Sequence, residues 1–281
     1  MSLIKIETDG EFFNVKDTLE CGQIFRYKPI NDGFLVQSGD KCCVVENKGS
    51  VAGILCEASD EDYFRNYFDL DTDYSAIVRR AENSGYAVVR EAARRARGVR
   101  ILRQNTEEML FSFIISQNNM IPRIKAIIER TANVLGEKHI FNGEEFHAFP
   151  TAKTLSAKDR DFYSGLGYGY RADYIPSVAK AITTGETNLS ADGLSTAELR
   201  KKLIALKGVG PKVADCVALF GYHRTDSFPV DTWIEKLYKE DFGGTLTDRK
   251  KIADFFLSIF GEDSGYVQQY VFYYKRSLEK A

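Results

Sequence analysis

The sequence predicts an α+β protein, with a β-rich, hairpin-built N-terminal domain ahead of a mostly helical core. Three observations predict it. Residues 1–57 carry short runs of β-branched and aromatic residues parted by turn clusters. From Gln104 onward, apolar residues recur at helical spacing almost throughout. Residues 203–235, LIALKGVGPKVADCVALFGYHRTDSFPVDTWIE, read as helix, glycine hairpin, helix, short loop, and then Pro229-Val230-Asp231 opening another helix.

In chain order, the strand candidates are 24–28, 34–37 and 42–46, with Asn31-Asp32-Gly33 and Ser38-Gly39-Asp40 as hairpin turns between them. Residues 60–80 turn helical, and their aromatics Tyr63, Phe64, Tyr67 and Phe68 read as core packing rather than a base-stacking platform. Residues 79–103 hold eight arginines and two glutamates. That stretch reads equally as a solvated helix face or as a surface for a phosphate backbone, which attracts arginine without regard to sequence. The domain boundary is expected near Gly98, giving domains 1–98 and 99–281. Asn105 and Glu108 make a capping pair before 109–115, and Ser116-Gln117-Asn118-Asn119 interrupts the apolar run. Pro122 starts a helix with Ile124, Ile127, Ile128 and Leu135 inward, ended by Gly136. A glycine-rich turn, 165–171, precedes a helix over 172–182. The stretch 248–279 is again helical, with Gln268 and Phe272 four apart on one face.

The hairpin carries the chemistry. Ser195 and Glu198 have capping-box spacing ahead of its first helix. Gly208 and Gly210 break that helix and permit backbone angles closed to residues with a Cβ. Pro211 suits the first turn of the second helix. Bare amides at Gly208, Val209 and Gly210 would seat a phosphate oxygen. Lys212 and Cys216 share one helix face, while Val213, Val217 and Phe220 form a separate apolar stripe. Taken singly, each feature has a plainer reading: a common turn, a solvated lysine, an aspartate that is only an N-cap.

The composition fits a soluble globular protein of the cytosol. Apolar residues make up 44% of 281, enough to bury a core. Net charge is −2, so a DNA surface must come from local clustering. The opening MSLIKIETDGEFF lacks the basic-then-apolar pattern of a signal peptide. No apolar run reaches membrane-spanning length. Cysteines 21, 42, 43, 56 and 216 are irregularly spaced, which fits reduced thiols and not a zinc site.

LKGVGPKVADCVALF followed by FPVDTW resembles the helix-hairpin-helix DNA glycosylases, whose signature ends in Gly/Pro and an aspartate. Four further stretches, in family order, resemble the 8-oxoguanine DNA glycosylase/AP lyases: CGQIFRY at 21–27, FIISQNNMIPR at 113–123, GYGYRADY at 167–174 and GYVQQYVF at 265–272. The resemblance spans about residues 17–278. It implies an antiparallel β domain followed by two helical lobes with the site in the cleft. It further implies that Lys212 is the nucleophile and that Asp231 stabilises positive charge on the sugar. Gly22 would offer its carbonyl to N7–H of the oxidised base, Phe272 and Cys216 would sandwich that base, and Gln268 would read its Watson–Crick edge. Asn118 would fill the gap in the duplex, Tyr170 would wedge beside the opposite base, and Arg171, with help from Arg123, would contact it. The implied partner is double-stranded DNA containing 8-oxoguanine, bound by a monomer away from membranes, with no metal or cofactor. The four-cysteine iron–sulfur site of endonuclease III-type relatives has no counterpart after Cys216. One departure stands at Trp233, where better-known members carry a phosphate-holding histidine; an indole supplies one neutral N–H instead. Met120 is a second departure, and together they leave the choice of opposite base open.

The chemistry requires such groups. A base inside a duplex must be flipped out to be reached. An amine must attack C1′, and a carboxylate must face the charge that develops on the sugar. The rival readings are a related glycosylase for another damaged base, a non-catalytic DNA-binding module, and a helical scaffold whose hairpin is only a turn.

Overall fold

The computed structural model describes residues 2–31 and 33–278. Asp32 of the first expected turn, and residue 279 of the last expected helix, lie outside the described residues. Five antiparallel strands build the N-terminal sheet: β1 (Leu3–Asp9), β2 (Tyr27–Ile30), β3 (Gly33–Ser38), β4 (Lys41–Lys48) and β5 (Val51–Glu57). Their order is β1-β5-β4-β3-β2. Sequence-neighbouring strands from β2 to β5 pair by hairpins, and β1 closes the other edge, with Ile6 opposite Ile54 and Ile54 opposite Val45. The register places Ile6, Val36, Cys43, Val45, Ile54 and Cys56 on one face. That face packs on Phe64, Tyr67 and Phe68 of the helix Glu61–Tyr67 and its end, so the aromatic cluster is core, as expected. Strands β1 and β5 were not individually legible in the sequence; they extend the three-stranded expectation by two strands on the β4 side.

The helical part is not helical throughout. A small hairpin, β6 (Lys138–Phe141) and β7 (Glu144–His147), lies within it and packs Phe141 and Phe146 against Leu35 and Cys42 of the sheet. Its turn is Asn142-Gly143, both at positive φ, the pairing that two-residue hairpins demand. The signal was therefore present in the sequence and was overridden by its helical surroundings.

The division at Gly98 needs correction. The helices Tyr74–Glu82 and Ala87–Arg95 bury their apolar faces in the large helical core, while Leu102, beyond Gly98, packs with the sheet. The chain thus crosses between the two cores more than once. Gly98 itself is a close contact and not a linker: a Cβ there would stand 2.6 Å from Asn14, and its carbonyl accepts from the Asn14 amide and the Thr18 hydroxyl.

The helices that position the site are Thr106–Ser116, Ile121–Leu135, Tyr174–Thr183, Thr196–Ile204, Pro211–Gly221, Thr232–Asp241 and Ser264–Leu278. Asn105 caps the first through the Glu108 amide. Glu108 does not return the bond; its carboxylate is buried against Gly39 and Arg26, tying the core to the sheet. Pro122 sits in the first turn of the second helix and Gly136 ends it, as expected. Residues 169–173 form a tight 3-10 turn, so the helix expected from Ala172 begins at Tyr174.

Candidate active site

The capping box is complete: Ser195 caps the Glu198 amide and Glu198 returns a bond to the Ser195 amide at 2.8 Å. The helix Thr196–Ile204 then ends in the hairpin. Gly208 has φ +79, and a Cβ there would fall 2.4 Å from the Tyr174 ring, so only glycine fits. Gly210 differs from expectation: its φ of −88 is open to any residue, and it serves as the N-cap before Pro211. Val209 differs as well. Its side chain is buried and its amide donates to the Leu206 carbonyl at 3.0 Å, so that amide is not free for a phosphate.

The helix Pro211–Gly221 carries Lys212 and Cys216 to one pocket, with Val213 and Val217 buried in the core; Phe220, expected on their stripe, instead falls on the Lys212–Cys216 face. All six residues expected to do chemistry or hold a base meet there: Lys212, Asp231, Gly22, Cys216, Gln268 and Phe272. Phe113, Phe220, Pro229 and Gln269 complete the wall. Lys212 Nζ stands 5.3 Å above the Phe113 ring, a cation–π contact from a helix the sequence offered no reason to place here. Burial pushes the Cys216 thiol up to about 11, against the pull of the neighbouring Lys212 ammonium. The thiol is therefore neutral at physiological pH and presents a soft, apolar surface.

Asp231 is both an N-cap and a site carboxylate. Its Oδ1 accepts from the Trp233 and Ile234 amides, each at 3.0 Å. One oxygen makes both bonds, so the cap fixes the carboxylate while the group lines the pocket.

Gln268 is 5% exposed, and its Oε1 has no partner. A buried acceptor left unpaired costs about 1–3 kcal/mol; here it belongs to the pocket wall, where a ligand's N–H groups would pair it. The pocket is narrow as it stands. Its free volume is about 40 Å³, room for about one or two water molecules and not for a purine. The Phe272 ring borders it, with Cε1 lying 3.4 Å from where a Gly22 Cβ would be. Entry of a base therefore requires the lining side chains to make room.

Four further expected residues gather where the 117–119 loop meets the turn at 167–171. Asn118 is exposed at φ +44, a backbone state that asparagine tolerates better than most residues. Tyr170 is 53% exposed. Arg123 is exposed and donates to the Gly167 carbonyl at 3.3 Å. Arg171 departs from expectation: it is 4% exposed, donates to the carbonyls of Gln117, Asn118 and Tyr168, and stacks on Tyr170. Its guanidinium is committed to shaping the Asn118 loop and does not face outward to a base. Gln117, which the sequence did not single out, joins this loop to the hairpin through a 2.8 Å bond to the Gly208 carbonyl.

Two further expected features have defined surroundings. Trp233 lines a separate groove of about 140 Å³ with Leu237, Glu240, Lys275 and Leu278. The arginine-rich stretch is largely consumed within the protein. Arg80 pairs with Asp263, Arg94 and Arg95 with Glu91, Arg97 with Glu11 and Glu82, and Arg103 with Asp69. Arg90 donates to the Ser84 carbonyl, and Arg100 is buried over the Tyr74 ring.

A β domain on a helical core, with a glycine hairpin presenting a lysine opposite a capping aspartate, defines a helix-hairpin-helix DNA glycosylase. Residues 5–110 match the family profile of the 8-oxoguanine DNA glycosylase N-terminal domain, and residues 111–260 match the HhH-GPD superfamily of base excision DNA repair proteins. A probable N-glycosylase/DNA lyase of Methanothermobacter thermautotrophicus is 31% identical over 229 residues, covering 74% of this chain and 72% of that protein. A solved structure of MBOgg1 in complex with a low affinity DNA ligand superposes with a TM-score of 0.92 at 37% identity, covering 98% of this chain and 96% of the other. The 8-oxoguanine glycosylase/lyase of Clostridium acetobutylicum, solved with double-stranded DNA containing cytosine opposite 8-oxoguanine, gives 0.91 at 34% identity, covering 98% of both chains. The chain belongs to the HhH-GPD superfamily and, within it, to the 8-oxoguanine DNA glycosylases.

Proposed function

We propose that this cleft binds duplex DNA, flips 8-oxoguanine from the stack, excises it and cuts the strand, with Lys212 and Asp231 carrying the chemistry. The observation that supports this reading is the convergence of a lysine, a fixed carboxylate and an unpaired buried Gln268 acceptor on one closed pocket. A guanine-type base offers N–H donors on its Watson–Crick edge, which suits Gln268 Oε1. Phe272 stacks on one face of the base and Cys216 on the other. Lys212 gives up a proton, and its amine forms a bond to C1′ while the bond from C1′ to the base breaks; the base leaves with the electron pair and takes up a proton. Asp231 faces the positive charge that develops on the sugar. Ring opening gives a Schiff base on Lys212; loss of a C2′ proton then expels the 3′ phosphate by β-elimination.

The choice of 8-oxoguanine over guanine rests on N7, a donor in the lesion and an acceptor in the normal base. In this reading the Gly22 carbonyl meets that position. Gly22 has φ +96, a conformation that any Cβ would strain. Asn118 fills the space the base leaves and Tyr170 wedges beside its former partner. Five free, buried cysteines support a reducing interior as the site of action. Among the described residues, no helix is long and apolar enough to cross a membrane.

Borohydride trapping on an 8-oxoguanine duplex tests the reading. The wild type should form a covalent complex and Lys212→Gln should form none while still binding the duplex. Robust trapping by Lys212→Gln would remove Lys212 from the mechanism. A wild type that traps on an abasic site but leaves 8-oxoguanine in place would favour another damaged base.

A further inference from the structure

We infer that Gln269 is a positioning residue that sets base selectivity by holding the Cys21–Gly22 peptide in register with the pocket helix. This rests on the proposal that the Gly22 carbonyl reads N7, and adds what aims that carbonyl.

The loop at residues 21–23 has no regular structure to fix it, yet it is buried at the junction of sheet and helical core. It is held instead by side-chain amides. Gln269 Nε2 donates to the Cys21 carbonyl at 3.0 Å across 248 residues of sequence. Gln23 Nε2 donates to the Thr18 carbonyl at 3.0 Å and the Arg100 carbonyl at 2.7 Å, and its Oε1 accepts from the Leu102 amide at 2.9 Å. Gln104 Nε2 donates to the Gln23 carbonyl at 2.9 Å. Gln23 and Gln104 anchor the loop to segments outside the pocket, so they serve the fold. Gln269 is the member of this set that lines the pocket, and it sits on the same helix as Gln268 and Phe272.

That placement has a mechanical consequence. The Cys21 carbonyl and the Gly22 amide belong to one rigid peptide plane. A bond that fixes the carbonyl fixes the plane, and with it one of the two dihedrals, φ of Gly22, that aim the Gly22 carbonyl. Glycine at φ +96 has no side chain to hold it, so without Gln269 the plane is free to rotate. Gln269 is 2% exposed, so water does not replace the bond. The element that stacks the base and reads its Watson–Crick edge thereby also sets the element that reads N7.

The test compares single-turnover excision of 8-oxoguanine with cleavage of a preformed abasic site, which needs Lys212 but no base recognition. Gln269→Met keeps length and removes the donor. The ratio of excision to abasic-site cleavage is expected to fall about tenfold or more, with melting temperature near wild type. Gln269→Glu keeps the shape and has no donor when ionised, but its carboxyl O–H donates when protonated. Its ratio is expected to recover as pH falls, against a wild-type profile measured alongside. An unchanged ratio in Gln269→Met, or excision and cleavage falling together, overturns the proposal; so does a pH profile of Gln269→Glu parallel to the wild type, which also decides the matter should Gln269→Met fold poorly. Failure of the underlying reading looks different: the wild type itself would not excise 8-oxoguanine, or Gly22→Ala would excise it as well as wild type does.

Discussion

At the scale of single residues, the site is built from groups that serve the fold and the chemistry at once. Asp231 shows this most clearly, since the oxygen that caps the helix Thr232–Asp241 also locks the carboxylate against the pocket. The two duties separate by substitution. Asparagine caps as well as aspartate does, so Asp231→Asn should melt within about 2 °C of wild type. It lacks the charge that stabilises the sugar cation, so single-turnover excision should fall by about a hundredfold or more. Wild-type excision in this variant would reduce Asp231 to a cap. Arg171 makes the opposite point. A buried guanidinium bonded to three carbonyls is an architectural residue in this state, whatever its neighbours touch.

At the scale of the element, the hairpin depends on one glycine more than the other. Gly208 occupies the left-handed region with the Tyr174 ring against it, whereas Gly210 has ordinary angles and nothing within 4 Å of its would-be Cβ. Gly208→Ala should therefore cost about 2 kcal/mol or more, from strain and overpacking together. Gly210→Ala should cost at most about 1 kcal/mol, the loss of a tolerable N-cap. Urea unfolding of the two variants measures the difference, and equal losses would show that the Tyr174 contact does not constrain the hairpin.

At the scale of the whole molecule, the sheet and the helical core are joined through a buried charged hub at Asp69. Its carboxylate accepts from Thr72 at 2.8 Å, Tyr74 at 3.0 Å and Arg103 at 2.7 Å, and His223 Nε2 lies 3.3 Å away. Burial alone would raise the carboxyl, but His223 and Arg103 outweigh it and hold the group well below the usual range. A depressed folded value stabilises the protein above the unfolded value of about 3.9, and that contribution drains away as pH falls through the folded value. Wild-type stability should thus decline below about pH 4, by on the order of 2 kcal/mol from this group. Asp69→Asn should be less stable at pH 7 and flatter with pH over the acid range. Thermal melts from pH 7 to pH 2.5 with parallel slopes for the two proteins would show that the hub does not govern acid stability.

The sequence by itself determined the pieces whose causes are local. The Ser195 capping box, Pro211 in the first turn of its helix, the Gln268–Phe272 face and the Lys212–Cys216 face all follow from contacts within four residues, and all stand as expected. The motif resemblance also named the six residues that meet in the pocket, because their order along the chain is itself a signature. Tertiary structure decided whatever depends on partners far away in sequence. Val209 lost its free amide to a turn bond and Arg171 its freedom to the carbonyls of the Asn118 loop. The arginines of residues 79–103 found acids as distant as Asp263, Phe113 reached the pocket from a helix with no local reason to point there, and Gln269 found the Cys21 carbonyl 248 residues away. A buried polar group must find a partner wherever the fold supplies one; that constraint is settled in space, and no spacing along the chain encodes it.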